Sequence, residues 1–269
     1  MAEAMTTTRH LDLSPPALRR IGLGDLRAAL REGWADFLAT PTQLMFLCVL
    51  YPLIGLVAAT LAAGGEVMHL FYPMAAGFAL VGPLAALGLY EISRRREAGQ
   101  PTHWTDVFGV LRAPALPAII GLGVLLLVVF LAWLWAADAI HAATLGTLAQ
   151  DPRFNGGGLA LLEQVFGTSE GQRMLLLGHV VGLGFAALVL ALTVVSFPML
   201  LDRPQAGLGQ AIGTSLRVVA KNPLPMAAWG LIVAVLLLLG SLPLFIGLAV
   251  VLPVLGHATW HLYRLAVVR

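Results

Sequence analysis

Apolar runs long enough to cross a hydrocarbon layer dominate the chain, separated by short segments marked by charge, proline or glycine. A helix needs about 20 mostly uncharged residues to cross a bilayer core of roughly 30 Å. On that criterion spans are predicted at 42–64, 70–92, 117–137, 174–201, 224–241 and 243–262. The stretch Leu224 to Leu262 would measure roughly 57 Å as one helix at about 1.5 Å per residue. Gly240-Ser241-Leu242-Pro243 supplies the break that folds it into a hairpin. Gly64-Gly65-Glu66 joins the first two spans. The long outer connection, 138–173, contains Asp151-Pro152-Arg153-Phe154-Asn155-Gly156-Gly157-Gly158, a turn between two short amphipathic helices.

A second periodicity precedes the odd-numbered spans. Counting back 3, 4, 7 and 11 residues from Pro41 gives Leu38, Phe37, Trp34 and Leu30. From Pro114 the same count gives Leu111, Val110, Val107 and His103, and from Pro223 it gives Ala220, Val219, Leu216 and Ile212. This spacing makes one stripe on a helix. Arg27, Arg31, Glu32 and Asp36 fall on the opposite face of the first segment, Arg217 and Lys221 on that of the third. The expected elements are helices lying in the membrane interface, which would divide the chain into three units of interfacial helix plus transmembrane hairpin. The competing explanation is that any loop beside a membrane drifts toward amphipathic composition.

Composition agrees with the pattern: 59% of the 269 residues are apolar and 11% charged, against roughly a quarter charged in soluble domains. The fold class expected is all-α, a polytopic membrane protein of about six transmembrane helices. Residues 1–22 are expected to form a weakly ordered tail and 23–269 a single transmembrane domain. The one cysteine, Cys48, lies in the first span and allows no internal disulfide. No apolar signal-peptide core precedes that span.

Charge sets the orientation. Lys and Arg number five before the first span, four in 93–116, three in 202–223 and two after the sixth, 14 in all, against only Arg153 and Arg173 on the other side. Positively charged loops stay in the cytoplasm, so both termini are expected there. The basic residues flank spans instead of forming a continuous face, so the pI near 9 points to membrane lipids, anionic headgroups included, and not to nucleic acid.

Ionisable groups inside a bilayer mark function by default, and here they are few. His257 and His261, four apart on one helix face, have the spacing to share a metal ion or to bind haem, although either site needs further ligands. Hydrogen bonding at the interface is the simpler role. Glu91 stands on the membrane side of Arg94, Arg95 and Arg96, where i,i+3 or i,i+4 pairing would account for it. The arginines themselves fit either an anionic-lipid site or a flank that fixes topology. Glu91, Arg94, Arg95, Arg96, Asp202, Arg203, His257, His261 and Arg264 all fall at the cytoplasmic ends of spans two, four and six, which predicts one charged cluster. Gly178 and Gly182 form a small-residue pair for helix packing, and Pro52, Pro83, Pro198 and Pro253 are candidate kinks. Phosphate-binding loops, zinc-protease motifs and serine-hydrolase motifs are absent from the sequence.

The segments Gly82 to Glu97, Ser196 to Arg203 and His257 to Arg264 together resemble a family of uncharacterised bacterial inner-membrane proteins classed as a domain of unknown function. The likeness extends from about residue 20 onward. It implies a bacterial cytoplasmic membrane location and a multi-helix fold, and carries no activity with it. The function expected is that of a non-enzymatic accessory, assembly or scaffold component with a membrane-protein partner or a second copy of itself, and no cofactor. A small-solute transporter or channel, and a metal or haem protein using His257 and His261, stay open as alternatives.

Overall fold

The computed structural model describes residues 16–40, 70, 73–74, 77, 82–148, 157–243 and 245–268. The expected first span with Pro41, Cys48 and Pro52, the Gly64-Gly65-Glu66 turn, most of the outer half of the second span and the Asp151 to Gly156 turn lie outside the described residues.

The described chain is helical. Its elements are α1 (Leu23–Ala39), α2 (Leu87–Glu97), a 3₁₀ segment (Trp104–Arg112), α3 (Leu116–Ala143), α4 (Gly157–Gly167), α5 (Ser169–Thr193), α6 (Ser196–Asp202), α7 (Gly207–Lys221), α8 (Pro223–Ser241) and α9 (Leu248–Ala266), with short 3₁₀ turns at Leu145–Leu148 and Pro204–Ala206. Pro117 and Pro223 sit in the first turns of α3 and α8, where a missing N–H costs nothing. Among the described residues extended pairing is confined to a single antiparallel bridge, Leu18 with Val267.

Three of these runs are long and apolar enough to cross a membrane: Leu116–Ala143, Ser169–Asp202 and Pro223–Ser241. They expose Leu127, Leu131, Leu183, Leu231 and Leu238 to their surroundings, which in water would be a large uncompensated apolar surface. Hydrocarbon removes that penalty. The second run is broken at Val194–Val195, between α5 and α6. Pro198 has no N–H to return to the Val194 carbonyl four residues back, and the Ser196 hydroxyl shares its one hydrogen between the carbonyls of Leu192 and Ala211 (2.5 and 3.1 Å).

The expected break after α8 is present. Gly240 and Gly247 pass so closely that a Cβ on Gly247 would meet the Gly240 Cα at 2.8 Å, and Phe245 takes φ of 65° in the connection. The chain therefore returns as α9, which holds the centre of the bundle against α1, α2 and α8.

α1 packs tightly on α9. Leu26, Ala29, Gly33, Asp36 and Phe37 form its buried face, and a Cβ on Gly33 would lie 2.5 Å from the backbone nitrogen of Ala258. Of the expected apolar stripe, Phe37 faces inward, while Trp34 and Leu38 remain exposed. In α7 the buried residues are Ala211, Thr214, Ser215 and Val218, displaced by about one residue from the expected Ile212–Leu216–Val219 line. In the 3₁₀ segment Val107 and Val110 turn inward, and Trp104, Phe108 and Leu111 outward.

Candidate functional site

The last two turns of α2 carry Glu91, Ser93, Arg94, Arg95, Arg96 and Glu97. Three cations in the final turn complement the negative end of the helix dipole, and Glu91 lies one turn earlier within their reach. Arg94 donates to both Glu91 oxygens (2.8 Å each) and Arg95 donates to Oε1 (2.7 Å). Arg95 also spans to Asp106 in the 3₁₀ segment (2.8 Å). The Glu91 side chain is only 6% exposed, so its charge is held by these two guanidinium groups and not by water.

A second acid organises the neighbouring half of the cluster. Asp36 of α1 accepts from Arg96 Nε (2.7 Å) on one oxygen, and from Ser93 Oγ (2.5 Å) on the other, which also lies 2.9 Å from His261 Nε2. Ser93 Oγ lies 2.8 Å from His257 Nδ1. A hydroxyl has one hydrogen. Because Ser93 spends it on Asp36, His257 Nδ1 is the donor to Ser93, and in the neutral ring Nε2 carries the lone pair. That Nε2 is buried and, among the described residues, has no hydrogen-bond partner.

Burial opposes the Asp36 charge more strongly than any single neighbour favours it. The hydrogen bonds from His261 and Ser93, joined by the positive charge of either imidazole when protonated, nevertheless hold its carboxyl below the usual carboxylate value.

A third group closes the rim. Arg264 donates to Glu97 (3.0 Å) and Asp202 (3.2 Å), Tyr263 donates to Asp202 (2.6 Å), and Trp260 Nε1 donates to Glu97 (3.1 Å). Arg203 donates to the carbonyl of Val268. Residues 17–19 and 266–268 meet here as well, with Arg19 N donating to Ala266 O and Val268 N to Ala17 O (2.9 Å each).

The structure thus brings Glu91, Arg94, Arg95, Arg96, Asp202, His257, His261 and Arg264 to one end of the bundle, and ties Arg203 to the segment that follows α9. Asp36 is the centre of one half, and its sequence position on the polar side of the α1 stripe hid it. One signal pointed to it: Asp36 shares a helical face with Ala29 and Gly33, small residues suited to close packing. Ser93, Asp106, Glu97, Trp260 and Tyr263 complete the set.

His257 and His261 face different partners, Ser93 and Asp36, and among the described residues no three His, Cys, Asp or Glu side chains are grouped to hold a metal ion. Gly182 accommodates the Trp133 indole, which would lie 3.1 Å from an added Cβ, whereas Gly178 faces open space. The arrangement's chemistry is that of a clamp: acids of α1, α2 and α6 neutralise cations of α2 and α9, with the buried His257 and the half-buried His261 between them.

No curated protein and no solved structure matches the chain. One family model does, over a stretch that holds α2 through α6 and so includes Glu91, the three arginines and Asp202, but neither Asp36 nor the two histidines. Residues 71–202, just under half of the chain, match the family described as predicted integral membrane protein (DUF2189), a domain of unknown function, and over that stretch the chain is similar to it.

Proposed function

We propose that the protein is a non-enzymatic component of the bacterial cytoplasmic membrane that packs against, or assists the assembly of, a larger membrane complex. The observation that carries this is how the charges are spent: Glu91, Asp36, Glu97 and Asp202 are each engaged by side chains of their own fold. Such a cluster fixes helices relative to one another and leaves the apolar faces of α3, α5 and α8 for lipid and partner. Six spans fit this picture, with 42–64 and 70–92 as the first two and α9 as the sixth. The exposed Trp34 and Leu38 of α1, and Trp104, Phe108 and Leu111, would lie in the cytoplasmic interface.

Purification of the tagged protein in mild detergent, followed by mass spectrometry of co-eluting proteins, tests the proposal. A reproducible membrane-protein partner is the expected result, and repeated recovery of a lone monomer contradicts it. Reporters at residues 2 and 269 should read cytoplasm and one inserted near Gly157 the outer side. A periplasmic C-terminus would give an odd number of spans.

A small-solute pathway is the second reading, favoured by the broken helix at Val194–Val195, since discontinuous helices can form transport sites. Solute uptake by vesicles containing the purified protein alone would favour it over the accessory role.

A further inference from the structure

The arginines of α2 and α9 are neutralised within the fold, whereas Arg20 and Lys221 flank a surface depression without an acid. Residues 17–22 fold back over the start of α8, and the crossing is built by Asn222. This buried side chain accepts from Ile21 N (2.9 Å) and donates to Arg19 O (3.2 Å) and Val218 O (3.1 Å). Lys221 Nζ donates to Leu18 O (2.7 Å) and retains two further N–H groups. Between the two segments lies a shallow cavity of about 180 Å³, largely open to the surroundings, whose lining includes Arg20, Lys221, Asn222, Pro223 and Leu224. Arg20 and Lys221 are both exposed, and among the described residues neither is in an ion pair with a carboxylate.

We infer that this cavity binds the headgroup phosphate of an anionic phospholipid, with an acyl chain lying along α8. The charge is complementary and already in place, because Arg20 and Lys221 flank a space with no acid in its lining. At about 180 Å³ the cavity is smaller than the roughly 300–1,000 Å³ of pockets that enclose whole ligands. It suits a phosphodiester whose chains continue outside. Leu224, 80% exposed, stands at its rim and begins a stripe continued by Leu231 and Leu238, 65% and 63% exposed. Residues seven apart on a helix share a face. One leaflet of about 15 Å corresponds to about ten residues of helix, so a chain in the same leaflet as the phosphate covers Leu224 and Leu231. Arginine supplies forked donors for phosphate and lysine a point charge, and the pair would hold the lipid at the junction of the N-terminal segment, α7 and α8. The inference rests on membrane insertion and not on the accessory role.

The test uses the full-length protein, delipidated in neutral detergent and titrated by native mass spectrometry with phosphatidylglycerol, phosphatidylcholine and inorganic phosphate. Phosphatidylglycerol should bind well ahead of phosphatidylcholine. Each basic residue near an anionic surface contributes about fivefold, so Arg20→Gln/Lys221→Gln should weaken phosphatidylglycerol binding by about twenty-five-fold. Arg27→Gln/Arg112→Gln, which removes the same charge elsewhere, should change it by less than about twofold. Arg20→Gln alone leaves the hydrogen bonds of the crossing intact and should still cost about fivefold, so the test stands even if the double variant folds poorly. Leu224→Ser should weaken lipid binding without affecting binding of inorganic phosphate. Equal binding of the two lipids, equal effects of the two double variants, or occupation by inorganic phosphate as tight as by phosphatidylglycerol would each overturn the proposal.

Discussion

Helices α8 and α9 are neighbours in sequence, each has 19 residues, and they play opposite parts. α8 buries only Met226, Trp229 and Gly240, rests Ala228, Ile232 and Val233 half-buried against the core, and turns Leu224, Leu231, Val235, Leu238 and Leu239 outward. α9 buries twelve residues, among them His257, Trp260 and Tyr263. Leucine on α8 is satisfied by hydrocarbon on any side. The imidazoles, indole and phenol of α9 need partners that lipid cannot give, and they find them in Ser93, Asp36, Glu97 and Asp202. Apolar runs decide which helices face lipid, and polar side chains near a helix end decide which helix the others gather around.

The largest expected effect comes from forcing α1 and α9 apart. Gly33→Leu places a branched side chain where the Ala258 backbone already stands. Overpacking costs about 1–3 kcal/mol where side chains can give way, and here backbone must move, so the loss should be at or above the top of that range. Thermal unfolding in detergent reads it. Leu231→Ala, on the exposed face of α8, should shift stability by less than about 0.5 kcal/mol, and comparable losses in the two variants would erase the distinction between the helices.

Asp36→Ala comes next. It strips acceptors from Arg96, Ser93 and His261 together. Breaking a fully buried pair costs about 3–5 kcal/mol. Arg96 is 35% exposed on its side chain and His261 20%, so part of the charge can reach water and about 3 kcal/mol is expected. Glu91→Ala should cost about 2 kcal/mol by the same reasoning, since Arg94 and Arg95 are partly exposed while Glu91 is not. Glu97→Ala should cost about 1 kcal/mol or less: its side chain is 31% exposed, although it holds Arg264 and Trp260. Equal melting of the Glu91 and Glu97 variants would reduce the cluster to a solvated flank.

The smallest effect is on acid stability. The folded Asp36 carboxyl titrates below its ordinary value of 3.8, so its contribution is fully present above that value and is lost as pH falls through the folded pKa. Wild type should therefore lose more stability than Asp36→Ala between about pH 5 and pH 2, with parallel profiles as the contrary result.

Much of this architecture is legible in the sequence, and the misses share one cause. Apolar runs locate α3, the broken α5–α6 rod and α8, and the Gly240 to Pro243 break and the Glu91 pairing follow from local rules of helix geometry. The inward faces of α1 and α7 do not, because close helix packing selects Ala29, Gly33, Ala211, Thr214 and Ser215, whose hydropathy carries little signal. A stripe drawn through the larger residues of α1 is therefore rotated from the true inward face, so that Trp34 and Leu38 stand exposed while Asp36 is buried. Long-range placement of the N-terminal segment beside Asn222 and Val267 leaves no local trace at all.

Hydrogen–deuterium exchange of α1 bears most directly on whether buried charge at this end holds the helices together. Amides of Leu26 to Phe37 should exchange about a hundredfold faster in Asp36→Ala than in wild type, while those of α8 stay unchanged. Unaltered protection of α1, or equal loosening of α1 and α8, would mean that Asp36 is not the residue that closes α1 onto α9.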